Sequence, residues 1–194
     1  MKTNLKIEKV DVCESNIKYR NFMGALLYVS SVTRPDISYS VNYLSRFQNC
    51  YNEYHYKYAL RILKYLYLTK DLKLEYKKNE KVETLDRYID ADWADDINNR
   101  KSTTSYVIRL YNNVIHWKSK KQKSVTKAST FTEYITLSEA DYEIIFIKEM
   151  VKTFNVRIDK SIKIYKDNSG TINIAKYGNF TKNSKHRNSL SLCT

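Results

Sequence analysis

Asp90, Glu133 and Asp167 are the residues whose type and setting could do chemistry. Asp90 falls in YIDADWADD at 88–96, where aromatic and aliphatic side chains alternate with acids. That pattern reads as a short strand delivering Asp90 or Asp92 to a sheet edge. Glu133 heads a stripe with Leu137, Ala140, Ile144, Ile147 and Val151, spaced by threes and fours as on the core-facing side of a long helix over about 130–154. Asp167 follows an alternating run, 162–166, that reads as another strand. Three oxygen donors suit Mg2+, which prefers carboxylates and keeps several waters. Two such ions about 4 Å apart activate a water and stabilise the leaving oxygen in phosphodiester hydrolysis. Each acid also has a plainer reading. Thr130 and Glu133 make the T-x-x-E of a capping box, the reading this pattern alone favours, and Asp167 opens DNSG, a turn into a short helix at 171–176 capped by Asn168 or Ser169.

The elements that would position these acids change character along the chain. Residues 1–17 are polar and aperiodic, an irregular lead-in. Helical patterns follow at 19–31, from Pro35, whose fixed φ suits a first turn, and at 56–68. In the last, Tyr56, Ala59, Leu60, Leu63 and Tyr67 form one side and Lys57, Arg61 and Lys64 another. This basic stripe suits a phosphate backbone, although charge spacing alone favours a solvated helix face. Leu72 to Tyr76 alternates like a strand, and KKNEKVET at 77–84 reads as a charged linker between two units. Beyond it come a strand at 104–110, a hairpin turn at Asn112-Asn113, where asparagine tolerates positive φ, and a strand at 114–117. Lys118 to Lys127 is a basic loop, and the stretch after Lys176 looks frayed.

The net charge of +13 on 194 residues is shared between the two sides of Thr84 and points to a polyanionic partner. Eighteen tyrosines against 3 glycines and 1 proline match a coding bias and carry no functional weight. Cys13, Cys50 and Cys193 are too widely spaced, with only three histidines, to suggest a zinc site, and read as free thiols. No signal-like leader and no run of about 18 apolar residues is present, so an intracellular protein, cytoplasmic or nuclear and not membrane-bound, is expected.

From 19 to about 186 the chain resembles the end of the Pol polyprotein of copia-type LTR retrotransposons, the tail of reverse transcriptase followed by ribonuclease H. The resemblance rests on YRNFMGALLYVSSVTRPDISYSVNYLSRF (19–47), YIDADWADD, RKSTTSYV (100–107), WKSKKQKSV (117–125), STFTEYITLSEA (129–140) and YKDNSGTINIAK (165–176), in the family's order. It implies an α/β fold: a ribonuclease H-like mixed sheet with flanking helices over 79–194, preceded by a small helical segment, the reverse transcriptase tail, over 18–78. The implied activity is Mg2+-dependent hydrolysis of the RNA strand of an RNA–DNA hybrid, with Asp90, Glu133 and Asp167 as catalytic, metal-binding acids and Asp92 as a neighbour. The hybrid would be recognised by shape and 2′-hydroxyls, with Lys57, Arg61, Lys64, Trp117, Lys118, Lys120, Lys121 and Lys123 as contacts, and the reverse transcriptase portion of Pol is the implied protein partner.

The sequence also departs from the family. Asp95, Ser105 and Asn112-Asn113 stand where the family usually has glycines, Phe131 replaces an acid, and similarity ends after His186. The chain stops before the family's final strand and the Ala-Asp pair with its fourth acid. A degenerate, truncated copy with a bare sheet edge and impaired hydrolysis is therefore expected, the alternatives being a non-catalytic nucleic-acid-binding remnant or a relic without a role.

Overall fold

The computed structural model describes residues 7, 17–78, 84–96, 98–125, 128–158, 161–168, 172 and 185–193. Three helices come first: α1 (Ile17–Val32), α2 (Ser38–Ser45), entered through a 3-10 turn at Pro35–Ile37, and α3 (Glu53–Leu68). The second part is a sheet crossed by one long helix. Its elements are β1 (Leu85–Asp92), β2 (Thr103–Leu110), β3 (Asn113–Lys121), α4 (Ser129–Thr153), β4 (Ser161–Asn168) and β5 (Lys185–Cys193).

The strand order is β3-β2-β1-β4-β5. β1 runs antiparallel to β2 and parallel to β4, and β2 antiparallel to β3. With α4 as the crossover between β1–β3 and β4, this is the ribonuclease H-like mixed sheet with flanking helices, behind a helical segment. The edge expected to be bare is covered: β5 pairs antiparallel with β4, Ser161 opposite Cys193 through Asn168 opposite Lys185. The stretch read as frayed thus contributes a strand over 185–193, which supplies the main-chain partners an open edge lacks.

Two hydrophobic cores form. Leu85, Ile89, Tyr106, Ile108, Ile162 and Ile164 pack from the sheet against Leu137, Ala140, Ile144, Ile147 and Val151 of α4. The stripe read from the sequence is therefore the buried face. Tyr19, Met23, Leu26, Val41, Leu44, Ala59 and Ile62 build the second core among α1–α3. In α3 the expected face is rotated: His55, Ala59 and Ile62 are buried, whereas Leu60, Leu63 and Tyr67 are exposed. The helix also begins earlier, because Asn52 and His55 close a capping box, each accepting the other's backbone N–H.

Other boundaries shift for local reasons. Residues 72–76 form no strand; instead the Lys77 backbone exchanges two hydrogen bonds with the Asn113 side chain. The hairpin turn sits one residue early, on Tyr111 and Asn112, whose φ values are 53° and 66°. β3 runs on through Lys121, so the first four residues of the expected basic loop are strand. Most of the lead-in at 1–17, residues 79–83 of the linker at 77–84 and most of the helix at 171–176 lie outside the described residues. Cys50 is disulfide-bonded, which overturns the free-thiol reading for that residue. No helix among the described residues is long and apolar enough to cross a membrane.

His55 gives the helical core a pH dependence. Its ring is buried, Nδ1 accepts from Asn52 N–H, and Nε2 has no partner among the described residues. Burial lowers its pKa below the usual histidine value, and burial also lowers that of His116. A group depressed in the folded state contributes stability above its unfolded pKa of about 6.5 and loses it as pH falls. Thermal unfolding is expected to shift downward between pH 7 and pH 5, and His55→Gln to flatten that slope. An unchanged slope in the variant would place the sensitivity elsewhere.

Candidate functional site: the acidic strand and its surroundings

β1 alternates strictly between two faces. Ile89 belongs to the core under α4, so Tyr88 and Asp90 lie on the opposite face. Asp90 is exposed and has no hydrogen-bond or ion-pair partner among the described residues.

Glu133 is on the α4 side. Helix α4 starts at Ser129 after Ala128, which makes no side-chain cap, so Glu133 lies beyond the position a capping box requires. Its carboxylate instead accepts from Lys166 Nζ of β4, which also reaches the Glu133 carbonyl at 3.3 Å. The Lys166 side chain is 0% exposed, and Glu133 is 7% exposed as a residue. Asp167 lies within β4, not after it, where the register with β5 shifts; its side chain is outside those described. The structure therefore joins Glu133 to a lysine next in sequence to Asp167, and sets Asp90 on the other face.

A buried polar network holds the head of α4 in place. Gln122 Nε2 donates to Thr104 Oγ1, Thr136 Oγ1 and the Thr132 carbonyl at 3.0–3.2 Å. Thr136 in turn donates to the Thr132 carbonyl, and Ser102 meets Thr132. The KSKKQKS block thus contributes its glutamine to the interior, where the amide nitrogen is fully engaged and Oε1 has no partner among the described residues.

The basic candidates divide. Lys57, Arg61 and Lys64 on α3 are exposed, as are Lys120 and Lys123. Lys118 pairs with Glu143 at 2.8 Å and Lys121 with Asp96. Trp117 is half-buried and donates its indole N–H to the Ser30 carbonyl at 2.7 Å, tying β3 to α1.

A second tie between helices and sheet escaped the sequence reading. Asp96 is buried and accepts from Arg46, at the C-terminal cap of α2, and from Lys121 of β3, while Arg46 also donates to Thr103 Oγ1 at 2.9 Å. Burial alone would raise the Asp96 pKa; Lys121, the Asn98 N–H and Arg46 hold it below the ordinary carboxylate range. Asp95, where the family has glycine, accepts from Tyr39 at 2.9 Å. An acid pair at the end of a strand was the available signal, but its partners lie far off in sequence.

No family model and no solved structure matches the chain. It is 37% identical over 87% of its length to "Retrovirus-related Pol polyprotein from transposon RE1" of Arabidopsis thaliana, of which it covers 11%. It is 33% identical over 89% of its length to the corresponding polyprotein from transposon TNT 1-94 of Nicotiana tabacum, covering 13% of it. "Secreted RxLR effector protein 161" of Plasmopara viticola is 37% identical over 68% of this chain, which covers 92% of that protein. The chain thus spans about a tenth of the length of the Pol relatives. Similarity at this level over most of the chain, on a sheet and helix of the expected order, places it: the chain belongs to the family of retrovirus-related Pol polyproteins of copia-type transposons and is a retroelement-derived domain.

Proposed function

We propose that this domain binds RNA–DNA hybrid, or other nucleic acid, through its basic surface and has lost the Mg2+-dependent cleavage that the ribonuclease H resemblance implies. The observation that carries this reading is the buried Glu133–Lys166 pair. In a cleaving site Glu133 would hold a divalent cation together with Asp90 and Asp167, and the metal would supply the activated water. To do so it would have to draw the carboxylate away from an ammonium that is fully buried. Leaving such a charge unpaired costs several kcal/mol, so the lysine competes with the metal for the same oxygens. Asp90, on the opposite face from Glu133, adds to the misfit.

Binding rests on separate residues. Lys57, Arg61 and Lys64 are exposed along one helix at spacings of four and three, and Lys120 and Lys123 are exposed at and just after the end of β3. The net charge of +13 gives the long-range attraction. Fluorescence anisotropy with a labelled hybrid tests this. Affinity is expected to fall roughly a hundredfold or more as salt rises from about 50 to 200 mM, by counterion release. Replacing Lys57, Arg61 and Lys64 together by serine is expected to weaken binding and make the salt slope shallower. Salt-independent binding, or an unchanged slope in the triple variant, would sink the reading.

A further inference from the structure

Helix α4 is apolar on both sides. Its stripe from Leu137 to Val151 packs on the sheet, yet Phe131, Tyr134, Tyr142, Ile145 and Phe146, on the side turned away, are 47–76% exposed. With half-buried Ile135 and Ser138 they recur by threes and fours over about four turns, the spacing of a second packing seam. A helix that is apolar all round is ordinarily covered all round. At about 200 Å2 for a side chain of this size, the five present roughly 600 Å2. That reaches the upper end of the about 300–600 Å2 expected for the largest patch on a monomer. It approaches the about 800 Å2 per partner of a standard interface once Ile135 and the flanks of the seam are added.

The charge around this seam argues against the polyanions that suit the rest of the surface. In a chain of net charge +13, no lysine or arginine occurs from Ala128 to Ile147. Of the acids in that span, Glu133, Asp141 and Glu143 are held by Lys166, Arg87 and Lys118, and Glu139 lies on the flank of the seam. A phosphate backbone or an anionic lipid surface therefore finds no cation here. Two copies of a strongly basic chain, by contrast, can approach at this face without setting cation on cation.

The seam also matches itself. A two-fold axis passing beside Glu139 and Ala140 pairs two α4 helices antiparallel, with Tyr134 against Ile145 of the second copy and Ile135 between that copy's Tyr142 and Phe146. Ser138, next to the axis, is small enough to receive the second copy's Tyr142, so the helices can approach closely where they cross. Glu149 and Lys152 pair with each other at 2.6 Å and end the seam with polar groups. We infer that the outward face of α4 docks a second copy of this chain as an isologous, antiparallel helix pair. The inference is independent of nucleic-acid binding through the basic surface, because none of the residues proposed for that binding lies on α4.

The test is sedimentation equilibrium of the full chain, freed of nucleic acid, from about 1 to 100 μM, where mass action makes a dimer visible as a concentration-dependent mass. The mass is expected to rise towards that of two chains. Association is expected to hold or strengthen as salt goes from about 50 to 500 mM, because screening weakens the repulsion between the copies. Tyr134→Glu and Ile145→Lys, each at an exposed position, are expected to weaken association at least tenfold singly, with the unfolding temperature unchanged at about 1 μM. Mixed together, the two variants are expected to associate again, since the new charges then face each other across the pair. Tyr67→Glu, at an exposed tyrosine of α3, serves as the control and is expected to associate as the parent does. A chain that stays monomeric to about 100 μM, as it would if another protein covered the seam, overturns the inference. So does a dimer that dissociates with salt, that Tyr67→Glu weakens as much as Ile145→Lys does, or that mixing the two variants fails to restore.

Discussion

Glu133→Ala is expected to destabilise the domain by about 3–5 kcal/mol, the usual cost of removing one partner from a buried ion pair. The loss falls on Lys166, whose side chain is 0% exposed and would keep only the Glu133 carbonyl, at 3.3 Å, of its present contacts with that residue. Removing both charges should act differently. Glu133→Leu with Lys166→Met replaces the pair by apolar groups of similar length, a change that is often neutral or stabilising by about 1–4 kcal/mol. Urea denaturation of the parent, the single variant and the double variant measures both effects. A single variant that loses less than about 1 kcal/mol would mean that the ammonium finds another acceptor or reaches water, and Glu133 would then be available to a metal.

Asp141→Ala is expected to cost a similar amount, at the centre of the sheet. Arg87 of β1 is fully buried and donates to Asp141 of α4 through Nη2, while its Nε and Nη1 have no partners among the described residues. Burial pulls the guanidinium pKa down and Asp141 opposes that shift. Without the aspartate a permanently charged group remains inside the core, with a loss of about 3–5 kcal/mol, or on the order of 10 °C in unfolding temperature for a domain of this size. Arg87→Met should be far milder because it removes the charge together with its unmet donors. If Asp141→Ala and Arg87→Met prove equally destabilising, packing rather than charge dominates this site.

Much of the fold was legible because its signals are local. The 88–92 alternation, the 162–166 alternation and the α4 stripe from Glu133 to Val151 each carry their period within one element, and all three appear in the structure with nearly the expected bounds. Errors arose where the deciding contact lies elsewhere. The apolar residues of α3 wrap most of its circumference, so only packing against α1 and α2 selects the His55, Ala59 and Ile62 face. Lys118 to Lys121 looked like a basic loop because lysines seldom fill a strand, yet pairing with Thr103 to Tyr106 holds them in the sheet. β5 carries only a short alternation, Ser189-Leu190-Ser191-Leu192, in polar surroundings, and it is the free edge of β4 that gives it a partner.

The site was legible as a set of residues and misleading as an arrangement. Spacing places Asp90 at a strand end and Glu133 at a helix head, but it does not show that Lys166, next on the face of Ile162 and Ile164, turns its ammonium onto Glu133. Nor does it show that Asp95 and Asp96 divide into a tyrosine contact and a clamp on Arg46. Each of these pairings spans more than 30 residues of sequence, apart from the contact of Asp96 with Lys121.

Incubating the full chain with Mg2+ and an end-labelled RNA–DNA hybrid tests the central claim most directly, with Glu133→Gln run in parallel. Retained hybrid with no RNA cleavage above the level of the variant, under conditions where anisotropy shows binding, is the predicted result. Mg2+-dependent cleavage that disappears in Glu133→Gln would contradict it, because Glu133 would then be serving a metal and not Lys166.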